Sequence, residues 1–144
     1  MTGIVILALA ALAAAGFGLY RHHVDGRFVP HADATPTAWD QVAAATPSAR
    51  AGERATLVQF SSAFCAPCRT TRVVLADVAA QEYGVRHVEI DAEQHLGLVR
   101  ALDVRRTPTT LVLDAAGHEV LRAAGAPQKH QVLAAIAHSA GAPR

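Results

Sequence analysis

The stretch FSSAFCAPCRTTR, from Phe60 to Arg72, holds both cysteines of the chain, Cys65 and Cys68. Thiols at i and i+3 lie close on the first turn of a helix, so their sulfurs join or separate with little backbone movement. That spacing suits reversible thiol–disulfide exchange. At a helix start, unpaired N–H groups and the helix dipole favour negative charge, which stabilises a thiolate and lowers its pKa below the free value of ~8.5. Cys65 is therefore the expected nucleophile, and Cys68, one turn inward, the less exposed partner that resolves a mixed disulfide. Pro67 loses no helical hydrogen bond in a first turn and stiffens the motif. Two other uses of the pair stay open. A static disulfide would gain little, because three residues close almost no loop. Two thiolates are also a ligand pair for a soft metal such as copper(I), and the rival reading is a tethered binding module without turnover that carries this ion or docks a partner.

This chemistry needs a strand to deliver the motif and a helix to receive it. Ala55 to Ser61, ATLVQFS, is a short apolar run rich in strand formers, and Arg69 to Tyr83 carries Val74, Leu75, Val78 and Ala79 at helical spacing. A second strand is expected over Val85 to Asp91. Asp91 with Gln94 then suggests a cap for a helix bearing Leu96, Val99 and Leu102. This strand-helix-strand unit implies a parallel pair with a right-handed crossover. Thr109 to Asp114 and His118 to Ala123, separated by Ala115, Ala116 and Gly117, read as a hairpin. Gly125 and Pro127 open a last helix with Val132, Leu133 and Ile136 on one face. Upstream, Thr35 before Pro36 suggests the cap of a short helix through Trp39, Val42 and Ala43, which stops before Pro47. The expected class is α/β, a mixed sheet of about four strands flanked by helices.

The 144 residues are 51% apolar and 17% charged, enough for one domain plus an appendage. Thirteen basic and twelve acidic residues are spread along the chain, which offers no footprint for nucleic acid. Gly3 to Tyr20 carries no charge. At ~1.5 Å per residue it reaches nearly across a ~30 Å hydrocarbon core, so residues 1–20 are expected to form a membrane helix. Residues 21–36 follow as a polar linker and 37–140 as the domain. Cleavage as a signal peptide after Ala13-Ala14-Ala15 stays open, although no basic n-region precedes the run. Arg21, His22, His23 and Arg27 after it favour a single-pass protein with its domain on the cytoplasmic side. Two arginines leave the reverse orientation open. His22, His23, His31, His95, His118, His130 and His138 show no metal-ligand spacing and are expected at the surface; Trp39 is expected to pack.

FCAPC at Phe64 to Cys68, following a buried strand, resembles the WCGPC-type motif of the thioredoxin family. Thr107-Pro108-Thr109 stands where that family carries a cis-proline, and Gly125 where it has a glycine bordering the active-site surface. The resemblance covers most of the chain after the linker and implies a thioredoxin-like fold. It also implies reduction of protein disulfides by Cys65 and Cys68, with no resident cofactor and no metal. Phe64, Ala66, Pro67, Thr107, Pro108 and Gly125 would contact substrate, the Thr107 backbone pairing with it in strand fashion. Electrons would come from an external reductase or a membrane donor.

Three positions depart from the family pattern. Phe64 and Ser61 replace aromatic residues. Gln59 replaces a buried acid that serves the resolving cysteine as proton acceptor, and an amide cannot take that proton. His87 falls where the family often has a lysine, and with Gln59 and water it is a candidate for proton-transfer support. An equally good reading makes it a half-buried partner of Gln59. Arg69 and Arg72 follow the motif on one helical face, as solvated residues or as additions to its positive potential.

Overall fold

The computed structural model describes residues 2–30 and 36–140. In chain order it contains α1 (Thr2–Val24), β1 (Phe28–Pro30), α2 (Ala38–Ala45), β2 (Ala55–Ser61) and α3 (Ala66–Gln81). It continues with β3 (Val85–Asp91), α4 (Leu96–Ala101), β4 (Thr109–Asp114), β5 (Glu119–Ala124) and α5 (Lys129–Ala140). The strands form one mixed sheet in the order β1-β5-β4-β2-β3. β2 runs parallel to β3, joined through α3, and antiparallel to β4. β4 and β5 form the hairpin.

Every residue of β2 is buried, because the strand sits inside the sheet with both faces covered. Val58 and Phe60 of β2, Ile90 of β3 and Leu111 and Leu113 of β4 pack on one face beneath α2 and α4. Leu57, Val85 and Val112 point the other way, against Leu75 and Val78 of α3 and Val132 and Ile136 of α5. Alternation along the strands thus feeds two cores. The second core holds α3, and with it the cysteine motif, against the sheet. Trp39 packs on the first core, as expected.

Several boundaries differ from expectation. The proposed cap Thr35 lies outside the described residues, as does His31. Thr37 caps α2 instead, in a capping box: its hydroxyl accepts the Asp40 N–H at 3.1 Å, and Asp40 accepts the Thr37 N–H at 3.0 Å. Asp91 does not cap α4. Its carboxylate accepts the Glu93 N–H and the Gln94 amide in a turn one step earlier, and His95 begins the helix. β5 starts at Glu119 because the His118 N–H bonds the Asp114 side chain.

The largest difference is at residues 21–36. Helix α1 continues to Val24, and Phe28–Pro30 form a fifth strand against β5, with Phe28 opposite Ala123 and Pro30 opposite Leu121. A three-residue strand carries almost no periodic signal, and its pairing is with a segment ninety residues away. Pro30 fits because a strand at the sheet edge tolerates a missing N–H. On α1, Leu7, Leu12 and Leu19 are each at least 70% exposed. The helix from Gly3 to Arg21, of mean hydropathy 2.2, has the length and composition of a membrane span or of a signal sequence.

Candidate active site

β2 delivers the chain through Ser61 and Ser62 into the turn that ends at Cys65, the N-cap of α3. The two cysteines are disulfide-bonded, with Cα atoms 5.2 Å apart. The Cys68 N–H donates to the Cys65 Sγ at 3.2 Å, so a helix-terminal donor is already aimed at that sulfur. Pro67 occupies the first turn, as its missing N–H allows. Cys65 is 9% exposed and Cys68 1%, and Phe64 beside them is fully exposed. Of the pair, Cys65 is the sulfur an incoming molecule reaches first.

A second loop stands against the motif. The Thr107–Pro108 peptide bond is cis. The Ser62 and Thr107 hydroxyls lie 3.0 Å apart, tying the two loops together, and the Gly125 N–H donates to the Pro108 carbonyl at 2.8 Å. Pro67, Thr107, Pro108 and Gly125 thereby line one groove of about 950 Å³. Ala66 and Phe64 are exposed beside this groove without being part of its wall.

Gln59 is wholly buried below the motif. Its Nε2 donates to the Cys68 carbonyl at 2.9 Å and to the Ser61 Oγ at 2.8 Å. A carbonyl only accepts, so this contact fixes which end of the amide is nitrogen. The Gln59 Oε1 then faces the His87 Nε2 at 3.1 Å, and His87 must be the donor. Burial pushes the His87 pKa down, and Arg72 adds to this, while Glu89 partly opposes it. His87 is thus a neutral donor, linked through Gln59 to the backbone of Cys68. The chain of contacts leads to a carbonyl and not to the thiol.

Sequence reasoning missed Glu89. Arg72 grips its carboxylate with two hydrogen bonds of 2.6 Å each. Burial pushes the Glu89 pKa up, but the bonds from Arg72 and Ser61, with the charge of Arg72, outweigh it and bring it below the ordinary value. Arg72 and Glu89 border a second cavity of about 370 Å³ together with Ser61, Cys65 and Cys68. Arg72 is therefore an ion-pair partner beside the cysteines. Alternation in VRHVEID supplied the signal, since residues 87, 89 and 91 must share a face, and Gln59 opposes Glu89 in the parallel register.

Comparison with known proteins agrees with this architecture. A family model described as a thioredoxin-like domain matches residues 42–140. The chain belongs to the thioredoxin family. It is 31% identical over 86 residues to Thioredoxin H4-1 of Oryza sativa subsp. japonica, a match covering 58% of this chain and 65% of that relative. Among solved structures it is similar to thioredoxin NaTrxh from Nicotiana alata, with a TM-score of 0.56 at 25% identity, over 70% of this chain and 84% of the other. A mutant thioredoxin from Halobacterium salinarum shares the fold, with a TM-score of 0.56 at 21% identity, over 64% of this chain and 80% of the other. A thioredoxin-like domain with its cysteine pair bonded at a helix start fits a thiol–disulfide oxidoreductase.

Proposed function

We propose that this chain is a membrane-anchored thiol–disulfide oxidoreductase that reduces protein disulfides through Cys65 and Cys68. The observation that carries the reading is the position of Cys65, capping α3 with a backbone donor on its sulfur, next to the groove of Pro67, Thr107, Pro108 and Gly125. Helix-terminal N–H groups stabilise a Cys65 thiolate in the dithiol form. That thiolate attacks one sulfur of a substrate disulfide; the S–S bond breaks, and the other sulfur leaves as a thiolate that takes a proton. The substrate segment lies along Thr107 and Pro108, with Phe64 and Ala66 flanking it. Cys68 then loses its proton and attacks the Cys65 sulfur, re-forming the internal disulfide and releasing the second substrate thiolate.

The substrate thus gains two electrons, which the protein pair loses; of the two protons its thiols take up, one balances the proton lost by Cys68 and the other comes from solvent. No resident cofactor is called for. An external reductase or a membrane donor returns the electrons. Gln59 holds the Cys68 carbonyl and takes no proton, so the Cys68 proton leaves by way of the cavity it shares with Ser61 and Glu89. His87 supports the site by positioning Gln59. Helix α1 holds the domain at a bilayer, and the positive flank after it favours the cytoplasmic side.

The test uses the pre-reduced chain and a protein disulfide. Cys65→Ser is expected to lower reduction on the order of 100-fold or more. Cys68→Ser is expected to accumulate a covalent adduct of protein and substrate, seen by mass. Undiminished reduction by Cys65→Ser, or no adduct with Cys68→Ser, overturns the proposal.

A further inference from the structure

The groove beside the cysteines has an unexpected wall. Besides Pro67, Thr107, Pro108 and Gly125, it is lined by Arg21 and His23 of α1 and by Asp25 and Arg27 of the turn after it. The end of the apolar helix and the candidate substrate site therefore share one cavity.

The junction between them has no slack. The Gly26 N–H donates to the Ala124 carbonyl at 2.9 Å. Arg106 Nη2 reaches both Asp25 Oδ1, at 2.7 Å, and the Ala124 carbonyl, at 2.6 Å. Gly26 and Gly125 both have positive φ, 77° and 107°. A Cβ at Gly125 would lie 2.8 Å from the Gly26 nitrogen, and one at Gly26 would overlap the Ala126 carbonyl, so both positions need glycine where the two backbones pass. Two residues later β1 joins the sheet at β5. The turn that ends the helix is thus bonded to Ala124, the residue before Gly125, and to Arg106, two residues before Pro108.

We infer that this groove takes disulfides held at a bilayer surface, its partner being a cysteine-bearing segment that emerges from the membrane as part of a membrane-embedded protein. The inference rests on the exchange activity proposed above and on α1 spanning a bilayer. The uncharged run ends at Tyr20, and Arg21 is the first charge after it, which sets Arg21 at the headgroup level. Pro67, between the two cysteines, lines the same cavity as Arg21. A cavity of about 950 Å³ is on the order of 10 Å across, so the motif lies within that distance of the headgroups. A segment rising from the bilayer enters this groove directly. A loop of a soluble protein must instead work between domain and membrane.

The experiment uses the full chain in lipid vesicles, reduced beforehand, with three probes carrying the same disulfide. One probe is a water-soluble peptide. The other two are attached to a transmembrane helix, with the disulfide either about four or about twenty-five residues from the apolar segment. Both tethered probes share the membrane, so their comparison removes the gain in local concentration that any tether gives.

The short-tether probe is expected to be reduced roughly ten-fold faster than the long one. Inserting eight Gly and Ser residues between Tyr20 and Arg21, which leaves the Gly26–Gly125 contact untouched, is expected to abolish that preference. Equal rates for the two tethers, with the soluble probe still reduced, overturn the inference and leave the exchange activity standing. A preference that survives the insertion also overturns it. Failure to reduce any probe overturns the exchange reading itself, and failure of the chain to float with vesicles overturns the anchor; the inference falls with either.

Discussion

Gln59 shows how one residue settles the roles of its neighbours. Its amide faces an obligate acceptor, the Cys68 carbonyl, and so His87 is left as a donor at Nε2. The departure at position 59 was legible from sequence, because the amide stands six residues before Cys65 in a recognisable motif. The partnership with His87 was legible as one of two readings of that position, the half-buried partner of Gln59. The Arg72–Glu89 pair was not, because pairing across α3 and β3 depends on how the helix lies on the sheet. The His87 environment has a measurable consequence. Burial holds its folded pKa below about 6.5, the ordinary imidazole value, while the unfolded chain protonates there normally. The unfolded state then binds more protons, so the stabilising contribution is complete above about 6.5 and is lost as pH falls through the folded pKa. Urea midpoints measured from pH 7 to pH 5 should fall, and His87→Gln should flatten that fall. An unchanged slope would contradict the assignment. Glu89, whose folded pKa is also depressed, acts at lower pH, where its contribution is lost as pH falls through that value.

Helix α3 fixes the motif in space, and its buried face explains how. Cys68, Thr71, Leu75 and Val78 recur at helical spacing and are all buried. Leu75 and Val78 supply the apolar contact, and Thr71, one turn after Cys68, is buried with a hydroxyl that has no hydrogen-bond partner among the described residues. A buried hydroxyl without a partner costs about 1–3 kcal/mol. Thr71→Val keeps the shape and removes the hydroxyl, so it should raise unfolding stability by about 1 kcal/mol, read as a higher urea midpoint at unchanged slope. A drop of similar size would show that the hydroxyl is satisfied. The existence and order of α3, β3, β4, β5 and α5 could be read from periodicity, since each has an apolar face to bury. The ends were less legible. Asp91 and Gln94 look like a cap, yet the same atoms close a turn, and only three-dimensional placement decides between two local hydrogen-bond patterns of similar strength.

At the scale of the molecule, the segment after the apolar helix carries the main surprise. Its glycine, prolines and histidines have the composition of a linker, but Gly26 is there to let the chain pass close to the backbone of Ala126, and β1 closes the β5 edge. Such a contact leaves no periodic trace, because both partners are single residues a hundred positions apart. The domain and its apolar helix are joined through the groove wall, and for that reason the chain is best assayed intact. The pair-exchange claim is tested most directly by equilibrating the full chain, in detergent, against graded mixtures of thiol and disulfide buffer and counting free Cys65 and Cys68 by alkylation mass. One reversible transition is expected in which both cysteines change together, with a two-electron slope of about 30 mV per tenfold change. A pair that stays bonded across the whole range, or that opens and does not re-form, would contradict it.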